Sequence, residues 1–143
     1  MAFETVAHRE RWGHWRGSAD DIVRVAERVR ELLTDAGQSD PSLYIRLTRV
    51  SGETRYDSVE DAAHGLPRAD LSDLTRIYIG GGDPFGDLTI SVTFEKGLGV
   101  YLKVEGKGSE HIKAAGIAAD LKKGLDPGDR SRPWYWRPIL IAA

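Results

Sequence analysis

The chain contains no cysteine, and this absence excludes several kinds of chemistry at once. Disulfide bridges, thiolate zinc sites and cysteine nucleophiles all require that residue. A chain without cysteine also suits a reducing compartment, so we expect a cytoplasmic protein.

Long apolar runs and a strong excess of one charge are missing as well. No stretch approaches the roughly 18 apolar residues that cross a bilayer. The first residues, MAFETVAHRERW, lack the apolar core of a secretory signal peptide. The formal net charge is −2. Since attraction to a phosphate backbone depends on excess positive charge, we do not expect nucleic acid as a partner.

Known catalytic motifs are absent too. The chain has neither the HExxH pattern of zinc hydrolases nor the GxSxG pattern of serine hydrolases. We therefore expect a non-enzymatic protein with no cofactor, although an unfamiliar active site need not match a known motif.

The residues that are present describe one small domain with two long helices. With 143 residues, 41% of them hydrophobic, the chain can form one continuous core. SADDIVRVAERVRELLTDAG has its apolar residues at helical spacing, with Ser18 as N-cap and Gly37 as the helix stop. A similar pattern predicts a second helix over 109–123, ending at Gly124.

Between these helices the apolar pattern changes to period two, which indicates strands. LYIRLTRV, TRYD, LTRIYI, LTISVTFE and LGVYLKVE predict five strands, and SVEDAAHG predicts a short helix capped by Ser58. Clean alternation is typical of an antiparallel sheet with one face on the core. We predict an α+β two-layer sandwich, ordered α-β-β-short α-β-β-β-α, with about five mainly antiparallel strands and both long helices on one face.

The composition divides the chain into a domain with two unusual ends. We assign 18–125 to the single α+β domain, 1–17 to an irregular N-terminal arm and 126–143 to a C-terminal tail. Both ends are rich in tryptophan and arginine.

The stretch GGGDPFGD, residues 80–87, raises the question of phosphate binding. A phosphate loop needs a helix after its glycines and a closing lysine, whereas here a strand follows and Asp83 and Asp87 add negative charge. We predict a hairpin loop instead. The two aspartates match no calcium-loop spacing and are weak metal candidates. A pocket beside this loop, with Asp83, Asp87 or His64 as polar groups, is one alternative function, for a small ligand or an enzyme that the sequence does not identify.

The polar face of the predicted sheet carries a second set of candidates. They are Tyr44, Arg46, Tyr78 and Tyr101, accompanied by Lys103. Such a mixture stacks bases in single-strand binding proteins, although tyrosine is also simply a good strand residue. Single-stranded nucleic-acid binding is therefore a further alternative.

The tryptophan ends supply the leading hypothesis. Large amphipathic rings beside guanidinium groups are enriched at protein interfaces and at membrane headgroups. The candidate contact residues are Trp12, Trp15, Arg16, Trp134, Tyr135, Trp136 and Arg137. The ends either fold back on their own core or contact something else, and ILIAA after the last of them either pairs with a sheet edge or enters a membrane-proximal segment. We expect a bacterial accessory domain that binds a protein partner or a second copy, in the cytoplasm or at the inner face of a membrane.

The membrane-proximal form of this hypothesis predicts a difference in liposome flotation. The full chain should float with anionic vesicles, because the aromatic and cationic side chains of the tail insert at the headgroups. A chain lacking residues 130–143 should stay at the bottom of the gradient. Equal flotation of the two chains would contradict a tail anchor.

Overall fold

The computed structural model describes residues 5–12, 19–69, 74–82, 87–95 and 99–125. These residues form one antiparallel sheet of six strands and three α-helices. The strands are β1 (Thr5–Trp12), β2 (Leu43–Arg49), β3 (Gly52–Tyr56), β4 (Leu74–Gly82), β5 (Leu88–Glu95) and β6 (Gly99–Lys107). The helices are α1 (Ala19–Asp35), α2 (Val59–Gly65) and α3 (His111–Leu125), with 3-10 turns at Leu66–Arg68 and Gly108–Glu110.

The sheet confirms the predicted α+β class and adds one strand to it. Its spatial order is β1-β6-β5-β4-β2-β3, with every neighbouring pair antiparallel. The five predicted strands correspond to β2 through β6. The prediction of an irregular arm was wrong for residues 5–12, which pair with β6 from Thr5 opposite Lys107 to Trp12 opposite Val100. TVAHRERW lacks a clean apolar alternation, and an edge strand needs none because it takes its hydrogen bonds from a strand already in place.

The ends of α1 and α2 follow from local sequence. After α1, Gly37 takes a φ of +105°, and its N–H donates to the carbonyl of Thr34 while that of Gln38 donates to the carbonyl of Leu33. This double hydrogen bond is a Schellman motif, which confirms Gly37 as the helix stop. At α2, the hydroxyl of Ser58 accepts from the backbone N–H of Asp61 at 3.0 Å, as predicted. Ser18, the predicted cap of α1, lies outside the described residues.

Strand alternation divides the sheet into an apolar face and a polar face. The cross-strand row Ile45, Ile79, Val92, Leu102 shows the apolar face, and all four residues are buried. They belong to one core cluster with buried residues of all three helices, among them Ile22, Val25, Ala26, Val29 and Leu33 of α1, Val59 and Ala62 of α2, and Ala114, Ile117, Ala118 and Leu121 of α3. The polar face carries the candidate residues Tyr44, Arg46, Tyr78 and Tyr101.

An ion pair joins the two long helices. Arg28 of α1 donates from Nη2 to Oδ2 of Asp120 at 2.8 Å and from Nε to Oδ1 at 3.3 Å. This two-point geometry fixes the orientation of the guanidinium. Farther along, Lys113 of α3 donates to the carbonyl of Ala36 at 3.0 Å, just beyond the end of α1. In the part of the chain that the structure describes, no helix is long and apolar enough to span a membrane.

The close approach of α1 to β4 depends on Gly81. A Cβ at this position would stand 2.8 Å from Cδ1 of Leu33 and 3.1 Å from Cγ1 of Val29. Both side chains are fully buried and cannot move without disturbing the core. Glycine at residue 81 therefore sets the distance between helix and sheet.

We expect Gly81→Val to lower the free energy of unfolding by about 2 kcal/mol, because the added side chain overpacks the core. Valine is a good strand residue, so a lower free energy of unfolding would be due to crowding in the core and not to a poor strand propensity. The matched control is Gly116→Ala in α3, where a Cβ meets no heavy atom within 4 Å. That variant should gain about 0.5–1 kcal/mol. Urea unfolding measures both, and equal effects would contradict the packing argument.

Candidate binding groove on the polar sheet face

Three of the four predicted polar-face residues lie together. The ring centroids of Tyr44 on β2 and Tyr78 on β4 are 5.4 Å apart, with an interplanar angle of 35°. The Cζ atom of Arg46 lies 5.7 Å from the centroid of Tyr44 and 5.8 Å from that of Tyr78. Tyr101 lies two strands away, because Thr93 of β5 separates it from Tyr78 in the same cross-strand row.

The position of the Tyr78 ring depends on Gly80. A Cβ at Gly80 would stand 2.6 Å from Cε1 of Tyr78 and 3.0 Å from its hydroxyl oxygen, so the ring lies over the glycine backbone. The cross-strand partners of Gly80 are Tyr44 on one side and Ser91 on the other. The hydroxyl of Tyr78 makes hydrogen bonds with the side chains of both. Glycine at residue 80 thus allows three hydroxyl groups to meet above the sheet.

This environment changes the acidity of Tyr78. Burial of the half-buried ring, followed by the hydrogen bond with Tyr44, raises the pKa of Tyr78 from 10.0 to about 12. At neutral pH the phenol therefore keeps its proton. It acts as a hydrogen-bond donor and acceptor in this site rather than as a base.

Arg55 joins the cluster from β3, and the prediction from sequence missed it. Its Cζ atom lies 4.3 Å from the centroid of the Tyr44 ring, close enough for a cation–π contact. The register places Arg55 directly opposite Arg46. The signal was present in the short turn between β2 and β3, since a tight hairpin determines which residues face each other.

Tyr44, Tyr78 and Arg55 border a groove on the polar face with a volume of about 400 Å³. Arg55 lies at its β3 end, and Lys103 and Glu105 lie at its β6 end. Between them the lining is formed by Ser42, Tyr44, Tyr78, Gly80, Gly81, Gly82, Thr89, Ile90 and Ser91. Nζ of Lys103 is 2.5 Å from Oε1 of Glu105. The groove thus offers hydroxyls, an aromatic wall and a basic side chain at each end.

The glycine stretch takes part in this groove differently from the prediction. Gly80–Gly82 belong to β4 and pair with β5, so the expected hairpin is present but its loop begins after Gly82. Gly82 has a φ of +114°, and a Cβ there would lie 2.5 Å from the carbonyl oxygen of Leu88. Asp83 lies outside the described residues. Asp87 is exposed, and among the described residues no cluster of carboxylates and histidines could hold a metal ion.

The other predicted contact residues lie elsewhere. His64 is exposed on α2, apart from the residues that line the groove. The backbone of Trp12 ends β1. Trp15, Arg16, Trp134, Tyr135, Trp136 and Arg137 lie outside the described residues.

Comparison with known proteins found no family profile that matches the chain, and no significant match among curated proteins or solved structures.

The raised pKa of Tyr78 predicts a loss of stability in alkali. Below pH 10 the residue is protonated in both the folded and the unfolded chain, so its contribution to stability is fully present. Above pH 10 the unfolded chain releases the proton first, because the folded pKa is about 12. The contribution is therefore lost as the pH rises from 10 to 12.

We expect the free energy of unfolding of the natural chain to fall more steeply across this window than that of Tyr78→Phe. Urea unfolding at several alkaline pH values measures both curves, and their difference removes the titration of other groups. Parallel curves would contradict the assigned shift.

Proposed function

We propose that the chain is a non-enzymatic binding domain and that the groove on the polar sheet face is its ligand site. The observation that supports this proposal most strongly is the position of the Tyr78 ring over the backbone of Gly80. It holds an aromatic wall and two further hydroxyls in place before any ligand arrives. Preorganised polar groups lower the entropy cost of binding. The volume of about 400 Å³ lies within the range of small-ligand sites.

The lining favours binding over catalysis. Its ionisable side chains are Tyr44, Tyr78, Arg55, Lys103 and Glu105. Tyr78 keeps its proton at neutral pH, and Glu105 is in contact with Lys103. General acid–base catalysis favours a group that titrates near the working pH. The raised pKa of Tyr78, about 12, is farther from neutral pH than the ordinary value of a tyrosine.

The proposal takes both long helices to lie on the apolar face, which leaves the polar face open to a ligand. The shared core cluster and the Arg28–Asp120 pair support this arrangement. Groove residues such as Arg55 remain exposed, and no helix residue contributes to the lining.

The tryptophan and arginine ends remain part of the proposal as a second contact region, for a protein partner or another copy of the chain. Their composition supports this role. We further propose a bacterial accessory domain working in the cytoplasm or beside a membrane. The absence of cysteine supports the reducing compartment.

Amide chemical-shift mapping tests the ligand site. The ¹⁵N-labelled chain should be titrated with separate pools of nucleotides, oligonucleotides, sugars, sugar phosphates and amino acids. We expect at least one pool to shift the amides of Gly80, Ser91 and Lys103 together, since these lie on adjacent strands at the groove. Gly80→Val should abolish the effect, because its side chain displaces the Tyr78 ring.

Gly116→Ala, on an exposed part of α3, is the matched control and should respond like the natural chain. Shifts confined to the helices, or no response from any pool, would contradict the groove as a ligand site.

A further inference from the structure

The polar face of the sheet is basic although the whole chain has a formal net charge of −2. The strand register places six basic residues with described side chains on this face: Arg9, Arg46, Arg55, Arg76, Lys103 and Lys107. The acidic residues placed there are Glu53, Glu95 and Glu105. The net charge of the whole chain therefore does not describe the charge of this face.

Two of the three glutamates on this face, and an aspartate beside it, are engaged in ion pairs with basic residues of the face. Glu95 pairs with Arg76 at 3.7 Å and Glu105 with Lys103 at 2.5 Å. Asp57, just beyond β3, pairs with Arg55 at 2.7 Å. Within the described residues, Arg9 and Arg46 form no ion pair. Lys107 also forms no ion pair with a described residue, so these three side chains supply the positive charge of the face that is unpaired within the described residues.

Two basic residues lie in opposed cross-strand positions beside each end of the groove. Arg46 lies directly opposite Arg55 on β2 and β3, and Arg9 lies directly opposite Lys103 on β1 and β6. Like charges in opposed cross-strand positions destabilise a sheet. Asp57 and Glu105 already pair with Arg55 and Lys103, so Arg46 and Arg9 are the charges that a bound anion would neutralise at the two ends. This indicates a ligand with more than one negative charge.

The arrangement also indicates the direction and length of the ligand. β2 and β1 are separated by four inter-strand steps in the sheet order. At about 4.8 Å per step, the two basic pairs lie about 19 Å apart across the strands. The groove between them holds the Tyr44–Tyr78 ring pair and the hydroxyls of Ser91 and Thr89. An extended ligand that crosses the strands fits this layout.

We propose that the groove binds single-stranded nucleic acid. The phosphates approach Arg46 at one end and the Arg9–Lys103 pair at the other, and a base stacks against the Tyr44–Arg55 pair. Aromatic rings and guanidinium planes are the surfaces on which single-stranded bases stack. An acidic peptide would satisfy the charges but has no regular use for the aromatic wall. This proposal rests on the proposed function, because it names the ligand of the same groove.

Fluorescence anisotropy with a labelled oligothymidylate of about ten nucleotides, the size of one binding unit, tests it directly. Affinity should fall as salt rises from about 50 to 200 mM, with a log–log slope near −2 if about three phosphates are contacted. Arg46→Gln should weaken binding severalfold and reduce the slope by about 0.7. Tyr44→Leu should weaken binding roughly tenfold with little change in slope.

Arg68→Gln, an exposed arginine in the 3-10 turn after α2, is the matched control and should bind like the natural chain. If thermal melting shows that Tyr44→Leu is not folded, Arg46→Gln still tests whether the groove binds nucleic acid. Absence of binding at low salt would overturn the proposal, as would an equal loss in Arg68→Gln or equal competition by poly-glutamate. If other pools shift the groove amides while oligonucleotides do not, only this inference fails and the proposed ligand site stands.

Discussion

The ring of Tyr78 can lie over the backbone of β4 only because residue 80 has no Cβ. Any larger residue at position 80 would place its Cβ atom 2.6 Å from Cε1 of Tyr78, and the ring would have to rotate away from the sheet. The tilted contact with Tyr44, the hydrogen bonds to Tyr44 and Ser91, and the wall of the groove all depend on the ring staying there. The absence of a side chain at residue 80 thus determines how the polar side chains of this face are arranged.

The neighbouring glycine applies the same constraint to the opposite face. Successive residues of a strand face opposite sides, so Gly80 receives Tyr78 on the polar side while Gly81 receives Leu33 and Val29 on the core side. Gly82 then takes a positive φ where the ladder ends. The three glycines therefore serve the groove, the core and the exit from the strand, and none of these roles is that of a phosphate loop.

Much of the fold was predictable because alternation is a strong local signal. Leu88–Phe94 and Val100–Val104 could be assigned to a half-buried antiparallel sheet from period two alone, and the Gly37 stop and Ser58 cap from local chemistry. β1 could not be predicted in this way. It forms by pairing with β6, and the sequence TVAHRERW has no local pattern that indicates this pairing. The polar-face tyrosines were predictable as a set. Their contact was not, because it requires β4 to pair with β2 rather than with β3, the nearer strand in the chain.

The same distinction explains the electrostatics. Net charge is additive along the sequence, whereas the charge of a face depends on strand order and register. Arg46 and Arg55 are nine positions apart in the chain and directly opposite in the sheet. A face with excess positive charge around an aromatic groove can therefore exist in a chain whose composition indicates no attraction for anions.

The most direct test of this account is the nuclear Overhauser spectrum of the natural chain. Because the ring of Tyr78 lies over Gly80, its ε protons should give cross-peaks to the α protons of Gly80. The ring current should also move one of those α resonances well upfield of its usual position. If the cross-peaks were absent and the Gly80 resonances stood at ordinary positions, the ring would not lie on the sheet and the groove would not exist in this form.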